Sequence, residues 1–260
     1  MFVAKNPILQ SHSLAQESCA AAGTFILAES QDTWHANTDI AHSVSINSCC
    51  FSINHYTEDL FGKHGIFFPP EMEKAVIKRR AEFFAGRYCA KQSLISLTGK
   101  ASTIHIGPGR NPLWPAPITG AISHSNTHAI AVTALKSHVR GIGIDLQEEI
   151  DFDTYSSIKT QILFGDELEL VRHDNPSLQM QVFSLIFSVK ESFFKAAFPE
   201  VGRYFDFSCV SVVSIDQREQ CIHLKINETL SRGLTEGLMV KAHYQYLAGE
   251  KLLTLVILRP

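Results

Sequence analysis

The sequence lacks the spaced cysteines of a zinc site or a redox pair, because none of its six cysteines belongs to a C-x-x-C motif. Scattered thiols in a chain of this length favour a reducing compartment, so we expect a cytoplasmic protein. Nowhere do about eighteen apolar residues run unbroken, which predicts that no segment spans a membrane. Residues 1–10 carry one lysine and an early proline but no long apolar stretch, so they are a poor signal peptide.

Strong positive charge is also missing. The formal net charge is −3, which argues against a nucleic-acid-binding protein. The chain contains no G-x-G-x-x-G motif, no Walker motif and no low-complexity tract.

What it does have is length and apolar content. Its 260 residues, 45% of them hydrophobic, suffice for one large domain or two small ones with packed cores.

Hydrophobic periodicity predicts a mixed α/β (α+β) chain without strict β-α-β alternation. Long helices are predicted over residues 71–97, 156–172 and 178–198. Strands are predicted over 24–28, 43–53, 121–125, 129–135, 141–146, 205–215, 219–226, 239–246 and 251–258, the last four in a mostly antiparallel sheet. Glycine and proline predict a loop over residues 107–120. A long helix followed by short strands occurs in each half, which favours an internal duplication with a joint near residue 140.

An apolar strand that ends in acidic and polar residues is the first candidate for chemistry. It reads Gly-Ile-Gly-Ile-Asp-Leu-Gln from residue 141, and two glutamates follow. A carboxylate at a strand end, such as Asp145, can hold Mg²⁺, which prefers oxygen ligands, and the glycines let a ligand approach the backbone. The segment fits equally well an ordinary turn after a strand, with Asp145 as a helix cap.

The second candidate reads Phe-Ser-Val-Lys-Glu-Ser-Phe-Phe-Lys over residues 187–195. On a helix, Glu191 and Lys195 lie one turn apart on the same face, where a carboxylate and an amine together suit a metal and a phosphate. The alternative is an ordinary i,i+4 ion pair on a solvated face. Because Ser188 has aromatic neighbours, the charged stripe is narrow, which favours a position at the border of a cleft.

Two further groups suit a polyanionic ligand. His124 lies between Ser123 and Ser125, where the imidazole and the hydroxyls can bind phosphate oxygens. Basic residues on the first long helix and in the proline-rich loop form the other group: Lys78, Arg79, Arg80, Arg87 and Arg110. Arginine can pair with phosphate through two hydrogen bonds. The simpler interpretations are a structural histidine and a solvated basic face that pairs with Glu82.

In this order, the segments resemble the phosphopantetheinyl transferase superfamily. Residues 143–145 and 187–195 are similar to its two signature motifs, and the spacing from Asp145 to Glu191 also fits. The resemblance implies a phosphopantetheinyl transferase fold: two similar α/β halves related by a pseudo-twofold axis, with coenzyme A and Mg²⁺ in the cleft between them. We therefore expect an N-terminal half over 1–139, with the coenzyme-binding helix and the Ser-His strand. A C-terminal half over 140–260 would carry the metal site and the Lys-Glu motif.

Three segments narrow the resemblance to the branch that contains enterobactin-synthase component D (Sfp type), which activates siderophore-making peptide synthetases. They are Lys-Arg-x-Ala-Glu-x-x-Ala-Gly-Arg at 78–87, Arg-Asn-Pro-x-Trp-Pro at 110–115 and Gly-Ala-Ile-Ser-His at 120–124. The resemblance covers about residues 70–200. It implies transfer of 4'-phosphopantetheine from coenzyme A to a serine of an apo carrier protein, as in holo-[acyl-carrier-protein] synthases, with adenosine 3',5'-bisphosphate as the other product.

The resemblance also assigns roles to residues. The implied metal ligands are Asp145, Glu191 and, more weakly, Gln147, which stands where the family often has a second acid. The implied catalytic residues are Glu191 as general base, Lys195 on the pyrophosphate, and Asp145. The implied coenzyme-binding residues are Lys78, Arg79, Arg87, Arg110, Ser123, His124 and Lys195. In this interpretation Lys195 and His124 stabilise the charge that develops on the phosphoryl group.

Other functions stay open on the sequence alone. The acceptor is expected to be a peptidyl or aryl carrier of a siderophore synthetase complex, but a fatty-acid or polyketide acyl carrier would fit the same motifs. A magnesium-dependent phosphohydrolase acting on coenzyme A or a nucleotide would use the same acids and basic residues. A coenzyme-binding subunit without turnover is the non-enzymatic alternative. Neither nucleic acid nor a membrane is expected as a partner, and a monomer is expected.

Overall fold

The computed structural model describes residues 24–32, 43–247 and 251–260. The strands of this part are β1 Ile26–Asp32, β2 Val44–Phe51, β3 His105–Ile106, β4 Pro112–Leu113, β5 Ile118–His124, β6 His128–Leu135, β7 Gly141–Gln147, β8 Val210–Asp216, β9 Cys221–Ile226, β10 Met239–Leu247 and β11 Lys251–Leu258. Its α-helices are α1 Asp59–Lys63, α2 Ile77–Thr98, α3 Phe152–Ile162, α4 Glu167–Val171 and α5 Pro176–Val201. The predicted mixture of helix and sheet is confirmed. The expectations for residues 1–10 lie outside the described residues.

Two antiparallel sheets carry most of the strands. The first has the order β1-β2-β6-β5 and the second the order β7-β11-β10-β9-β8, whereas β3 and β4 pair only with each other. The strands predicted over 121–125 and 129–135 are confirmed; they pair as the β5–β6 hairpin, whose register places His124 opposite Ala129. In the second sheet β7 pairs with β11, so that Asp145 lies directly opposite Thr254. Residues directly opposite on paired strands share one face of a sheet, so Asp145 and Thr254 face the same side.

Each sheet is covered on one face by one long helix. Helix α2 packs on β2, β5 and β6, and helix α5 packs on β7 and β11. The two other faces meet, because Ile130 and Val132 of the first sheet share a buried apolar cluster with Ile144 and Leu255 of the second. The layers are therefore helix, sheet, sheet and helix, with β5 beside β7 where the sheets meet. The boundary between residues 139 and 140 stays a prediction.

Local sequence signals account for the ends of the long helices. At the start of α5, the Asn175 side chain accepts hydrogen bonds from the backbone N–H groups of Ser177 and Leu178, which no helical carbonyl can reach. Both long helices end at a glycine in the left-handed conformation, Gly99 after α2 with φ 71° and Gly202 after α5 with φ 70°. A residue with a Cβ would be strained there, so glycine stops each helix at a defined position.

Two predicted helices are wrong in their extent. Residues 156–172 do not form one helix, because Gly165 adopts a φ of 58° and separates α3 from α4. The helix predicted over 71–97 begins only at Ile77, since the residues before it form a short 3₁₀ turn. No helix of the described ranges is long and apolar enough to cross a membrane.

Two predictions about strands also need correction. The loop expected over 107–120 contains β4 and the first residues of β5. The strand expected over 205–215 begins only at Val210, after a 3₁₀ turn over Phe207–Cys209. In both places short irregular backbone separates β-forming residues, and composition alone did not show where pairing begins. The residues just before Val210, which were wrongly predicted as strand, form one wall of a cleft.

Candidate active site

The candidate site lies where β7 and α5 touch. A side chain does not fit at Gly143, because a Cβ atom there would lie 1.9 Å from the carbonyl oxygen of Ser192 on α5. Side chains alternate along a strand, so Asp145 is on the same face as Gly143 and faces α5. The glycine thus brings the helix close enough for its polar side chains to reach Asp145. The alternative role of Asp145 as a helix cap is wrong, since Asp151 caps α3.

Three hydrogen-bond donors surround the carboxylate of Asp145, which is only 6% exposed. Its Oδ1 atom accepts hydrogen bonds from Ser123 Oγ at 2.8 Å and from Lys195 Nζ at 2.7 Å. Its Oδ2 atom accepts one from Ser188 Oγ at 2.9 Å. Because each carboxylate oxygen has about two acceptor positions, Oδ2 keeps one position for a further donor or a cation.

Lys195 connects the two signature segments. Besides Asp145, its ammonium group donates to the Ile144 carbonyl at 3.1 Å and to Ser123 Oγ at 3.2 Å. Ser123 Oγ also accepts from the backbone N–H of Leu146 at 3.1 Å. Within the described chain the ion pair of Lys195 is with Asp145 and not with Glu191, so the expected i,i+4 surface pair is not formed. Ser123, Asp145 and Lys195 therefore form one polar cluster drawn from β5, β7 and α5.

Glu191 is a partly buried carboxylate close to this cluster. Burial is the largest influence and raises its pKa above the ordinary glutamate value. The Lys195 ammonium opposes that shift, and the Asp145 carboxylate adds to it. Glu191 is thus a second carboxylate near Asp145 that is partly removed from water and repelled by a like charge. A bound cation would reduce both of these costs.

Gln147 lies two residues beyond Asp145 on the same strand face, at the end of β7. Its side-chain nitrogen donates to the backbone carbonyl of Glu148 at 2.8 Å, which leaves the amide oxygen available as an acceptor. Among the described residues, no three His, Cys, Asp or Glu side chains cluster in a way that could hold a metal ion. Asp145 and Glu191 are the two carboxylates that could hold a metal ion here, and Gln147 offers an amide oxygen.

His124 and Arg79 form the next part of the site. The guanidinium of Arg79 donates to His124 Nε2 at 2.9 Å, which assigns the ring hydrogen of the neutral imidazole to Nδ1, 3.8 Å from a Glu82 oxygen. Burial, followed by the charges of Arg79 and Lys195, lowers the pKa of His124 to about 4. The imidazole of the free protein is therefore neutral at pH 7, and the ring holds Arg79 in place. The charge stabilisation expected of His124 stays a prediction.

Arg87 is a buried cation without a counter-ion among the described residues. It is 8% exposed, no described acidic side chain forms an ion pair with it, and its Nε atom has no hydrogen-bond partner. Burial and the nearby charge of Arg79 lower its pKa to about 10. The guanidinium lies 4.7 Å from the centre of the Phe83 ring, a contact that offsets only part of the desolvation. An anionic ligand would supply the missing partner.

The remaining predicted cations lie nearer the surface. Lys78 donates to the side-chain oxygen of Asn126 at 2.6 Å, and the Asn126 amide donates to Glu148 at 3.3 Å. Arg110 occupies the turn between β3 and β4 with a φ of 61°, is exposed, and forms no ion pair within the described ranges. The structure thus links Arg79 directly to the Ser123–His124 strand, whereas it leaves Arg110 separate from the central cluster.

Sequence reasoning missed a cleft of about 320 Å³ beside Glu191. Its lining residues are Lys190, Glu191, Phe194, Tyr204, Phe205, Asp206, Phe207 and Val210. The Tyr204 ring stacks on Phe194 with centroids 5.7 Å apart, and its hydroxyl donates to the Gly109 carbonyl at 2.7 Å. This contact ties the Arg110 turn to the wall of the cleft. The closely spaced aromatic residues after α5 were the available sequence signal.

Comparison with known proteins agrees with this geometry. Residues 68–134 match the model of the 4'-phosphopantetheinyl transferase N-terminal domain, and residues 141–246 match that of the 4'-phosphopantetheinyl transferase superfamily. The two matches contain the Ser123–His124 strand and the Asp145–Lys195 cluster, respectively.

Curated relatives point the same way. Enterobactin synthase component D of Escherichia coli K12 is 31% identical over 153 residues, which cover 59% of this chain and 70% of that protein. The same component of Salmonella typhimurium is 30% identical over 63% of this chain and 68% of its own length. A 4'-phosphopantetheinyl transferase of Nocardia iowensis is 28% identical over 52% of this chain and 59% of its own length. This chain therefore belongs to the 4'-phosphopantetheinyl transferase superfamily.

Proposed function

We propose that this protein transfers 4'-phosphopantetheine from coenzyme A to a serine hydroxyl of an apo carrier protein, with adenosine 3',5'-bisphosphate as the leaving group. The observation that carries the proposal is the cluster of Ser123, Asp145 and Lys195. It joins strands of both sheets to α5 and lies close to a second carboxylate, Glu191. Arg79, which contacts the neighbouring His124, lies near a buried arginine, Arg87, that forms no ion pair within the described residues. Acidic and basic groups in one site suit a phosphate ester that must be bound, activated and cleaved.

The basic groups would bind the phosphates of coenzyme A. Arg87 has no acidic partner among the described residues, and Arg79 is oriented by the neutral His124 ring. Lys78 and the more distant Arg110 are exposed cations that can add to the nucleotide end. The apolar cleft beside Glu191 has the volume and the aromatic lining to take the pantetheine arm.

The donor set fits Mg²⁺. Magnesium is commonly held by one or two carboxylates together with water and substrate phosphates, so the absence of a larger acidic cluster in the described chain is compatible with it. Asp145 and Glu191 would hold the ion, and Gln147 would be a weaker member that adds no charge. When bound, Mg²⁺ would stabilise negative charge on the pyrophosphate oxygens.

The chain's own residues would supply the proton transfer and the orientation. The carrier serine oxygen forms a bond to the phosphorus of the pantetheine phosphate, and the bond from that phosphorus to the bridging oxygen of the leaving nucleotide breaks. The Glu191 carboxylate would take the serine proton, directly or through a water. Lys195 would place its charge beside the phosphoryl group undergoing transfer.

Within this function, we assign the carrier to siderophore synthesis, because relatives named enterobactin synthase component D match 63% and 59% of this chain. Among the described cysteines, Cys49, Cys89, Cys209 and Cys221 are free thiols, which supports the expectation of a reducing, cytoplasmic environment. The same site would accept a fatty-acid or polyketide carrier without any change in chemistry. A panel of carriers therefore has to decide the acceptor.

The test is to incubate the purified protein with an apo peptidyl or aryl carrier, coenzyme A and Mg²⁺, and to weigh the carrier by intact mass spectrometry. We expect a gain of one phosphopantetheine that is lost on chelation and lost in Asp145→Asn. The matched control is Asp174→Asn, which changes an exposed aspartate and should keep full transfer. No gain on any carrier, with 3',5'-ADP released from coenzyme A alone, would instead indicate a phosphohydrolase.

A further inference from the structure

A buried hydroxyl on β11 lies behind the Asp145 carboxylate. Thr254 is 0% exposed and is the residue directly opposite Asp145 in the β7–β11 register. Its Oγ1 atom is 2.9 Å from Ser188 Oγ and 2.7 Å from Ser192 Oγ, both on α5. Ser188 and Ser192 are themselves fully buried. The three hydroxyls therefore lie together, closed to solvent, where α5 packs on β11. Of the three, Ser188 alone contacts the Asp145 carboxylate.

The direction of these hydrogen bonds follows from the number of hydrogens. A carboxylate only accepts, so the single hydroxyl hydrogen of Ser188 is committed to Asp145 Oδ2. In the contact between Thr254 and Ser188, Thr254 can then only be the donor, and its single hydrogen is shared between Ser188 Oγ at 2.9 Å and the Ser188 carbonyl at 3.0 Å. The contact with Ser192 is accordingly a hydrogen bond that Ser192 donates to Thr254 Oγ1. A hydroxyl that accepts one hydrogen bond donates a stronger one. The hydrogen bond from Thr254 to Ser188 therefore strengthens the hydrogen bond from Ser188 to Asp145.

The first sheet contains a similar hydroxyl contact between helix and strand, but without a carboxylate. Ser93 of α2 and Thr133 of β6 are both fully buried, and their hydroxyl oxygens lie 2.7 Å apart. Their other hydrogen bonds are to backbone carbonyls, Ser45 for Ser93 and Ser93 itself for Thr133. A helix–strand hydroxyl pair thus occurs in both layers, but only the pair on α5 is continued to a carboxylate.

We infer that Thr254 is a positioning residue for the metal site: acting through Ser188, it fixes which Oδ2 acceptor position of Asp145 remains open. The inference rests on the proposed function, because it takes Asp145 as a ligand of the divalent ion. Hydrogen-bond partners behind a metal ligand commonly contribute about 10- to 100-fold to metal affinity. Thr254 does not touch the substrate, so its effect should reach the metal through the orientation of Asp145 alone.

The experiment measures Mn²⁺ binding to the full-length protein by electron paramagnetic resonance, with coenzyme A present and no carrier. Thr254→Val keeps the shape of the side chain and removes its hydroxyl, and we expect about tenfold weaker Mn²⁺ binding. Thr254→Ser restores the hydroxyl and should bind Mn²⁺ like the wild type. Thr133→Val removes an equally buried hydroxyl from the other layer and is the matched control for a general loosening of the fold.

The outcomes separate the two proposals. Weaker Mn²⁺ binding confined to Thr254→Val supports the role of Thr254. If Thr254→Val binds as tightly as the wild type, or Thr133→Val weakens binding equally, Thr254 has no positioning role although the metal site stands. If the wild-type protein with coenzyme A binds no Mn²⁺, the metal assignment of Asp145 fails and Thr254 loses its role with it. Melting temperatures of all variants show that folded protein is being compared.

Discussion

The Lys190 ammonium lies 2.7 Å from the Glu167 carboxylate, and both side chains are closed to solvent, at 0% and 1% exposure. Lys190 also donates to the carbonyls of Ile162 and Phe207, and Glu167 accepts from the backbone N–H of Val212 at 2.7 Å. Burial lowers the pKa of Lys190, and Glu167 opposes that shift. This ion pair joins α5, the end of α3, α4 and the wall of the cleft next to Glu191.

We expect Lys190→Met to destabilise the protein by about 3–5 kcal/mol, because it leaves the Glu167 charge buried without its counter-ion. Urea unfolding measures the change. Lys63→Met is the control, since the Lys63–Asp59 pair is exposed and screened by solvent and should contribute little to stability. The double variant Lys190→Met/Glu167→Gln should recover part of the loss. Equal stability of Lys190→Met and the wild type would contradict this view of the pair.

Gly143→Ala should disrupt the contact between β7 and α5. The added Cβ would meet two backbone atoms, Ser192 O at 1.9 Å and the Ala196 nitrogen at 2.6 Å, so the helix itself would have to move. We expect a loss of about 1–3 kcal/mol or more in the free energy of unfolding, together with loss of transfer. Gly62→Ala, which meets nothing within 4 Å in the short helix α1, should leave both unchanged or stabilise slightly. Similar stability of the two variants would refute the argument.

Arg87→Met should separate stability from ligand binding. The buried guanidinium has an unpartnered Nε atom, so its replacement by an apolar side chain should leave the melting temperature of the free protein unchanged or raise it. Coenzyme A affinity, measured by calorimetry, should fall at least about tenfold, the effect of losing one charged hydrogen bond. Arg172→Met, on a mostly exposed arginine, should leave the affinity unchanged. A destabilised variant with normal affinity would show that Arg87 has a structural role.

The carboxyl group of Glu191 should titrate above the ordinary glutamate value in the metal-free protein, because burial and Asp145 raise its pKa. Carbon-13 nuclear magnetic resonance of the labelled side chain can follow it. Lys195→Gln removes the charge that lowers this pKa and should move the midpoint up. Asp145→Asn removes a charge that raises it and should move the midpoint down. Midpoints that do not change in these two variants would mean that Glu191 is remote from both groups.

The raised pKa of Glu191 also affects the stability of the protein. A glutamate whose pKa is raised by folding stabilises the protein below its unfolded pKa, and this contribution is lost as the pH rises through the folded value. Above the folded value the wild type therefore carries a charged Glu191 at an unfavourable position. Glu191→Gln should be more stable than the wild type at pH 7, and this difference should shrink as the pH is lowered. Thermal unfolding at several pH values tests the sign.

Much of the site was predictable because its parts are local patterns. The strand that carries Asp145 and the helix that carries Glu191 and Lys195 follow from apolar runs and helical spacing. The sequence could not show that Lys195 pairs with Asp145, since these residues are separated by 50 positions and meet only through packing at Gly143. It likewise gave no sign that His124 is neutral, because that state depends on burial and on Arg79.

The cleft and the hydroxyl chain were missed for a related reason. Phe194 and Tyr204 form one wall only because the chain reverses after Gly202, whose left-handed conformation ends α5. Thr254 reaches Ser188 only through the pairing of β11 with β7. An apolar terminal strand carries no motif, so one threonine within it is read as an ordinary β-branched residue. Such roles depend on strand order, which hydrophobic periodicity does not reveal.

The hydrogen bond from Tyr204 to the Gly109 carbonyl fixes the distance between the Arg110 turn and the cleft beside Glu191. It fastens the turn that carries Arg110 to the wall of the cleft that begins at Glu191, and the ring of Phe198 packs against the same turn. The spacing between Arg110, the proposed phosphate-binding cation, and the cleft proposed for the pantetheine arm is thereby set before any ligand arrives. A ligand that engages both must match this span, so the protein can select by length as well as by charge.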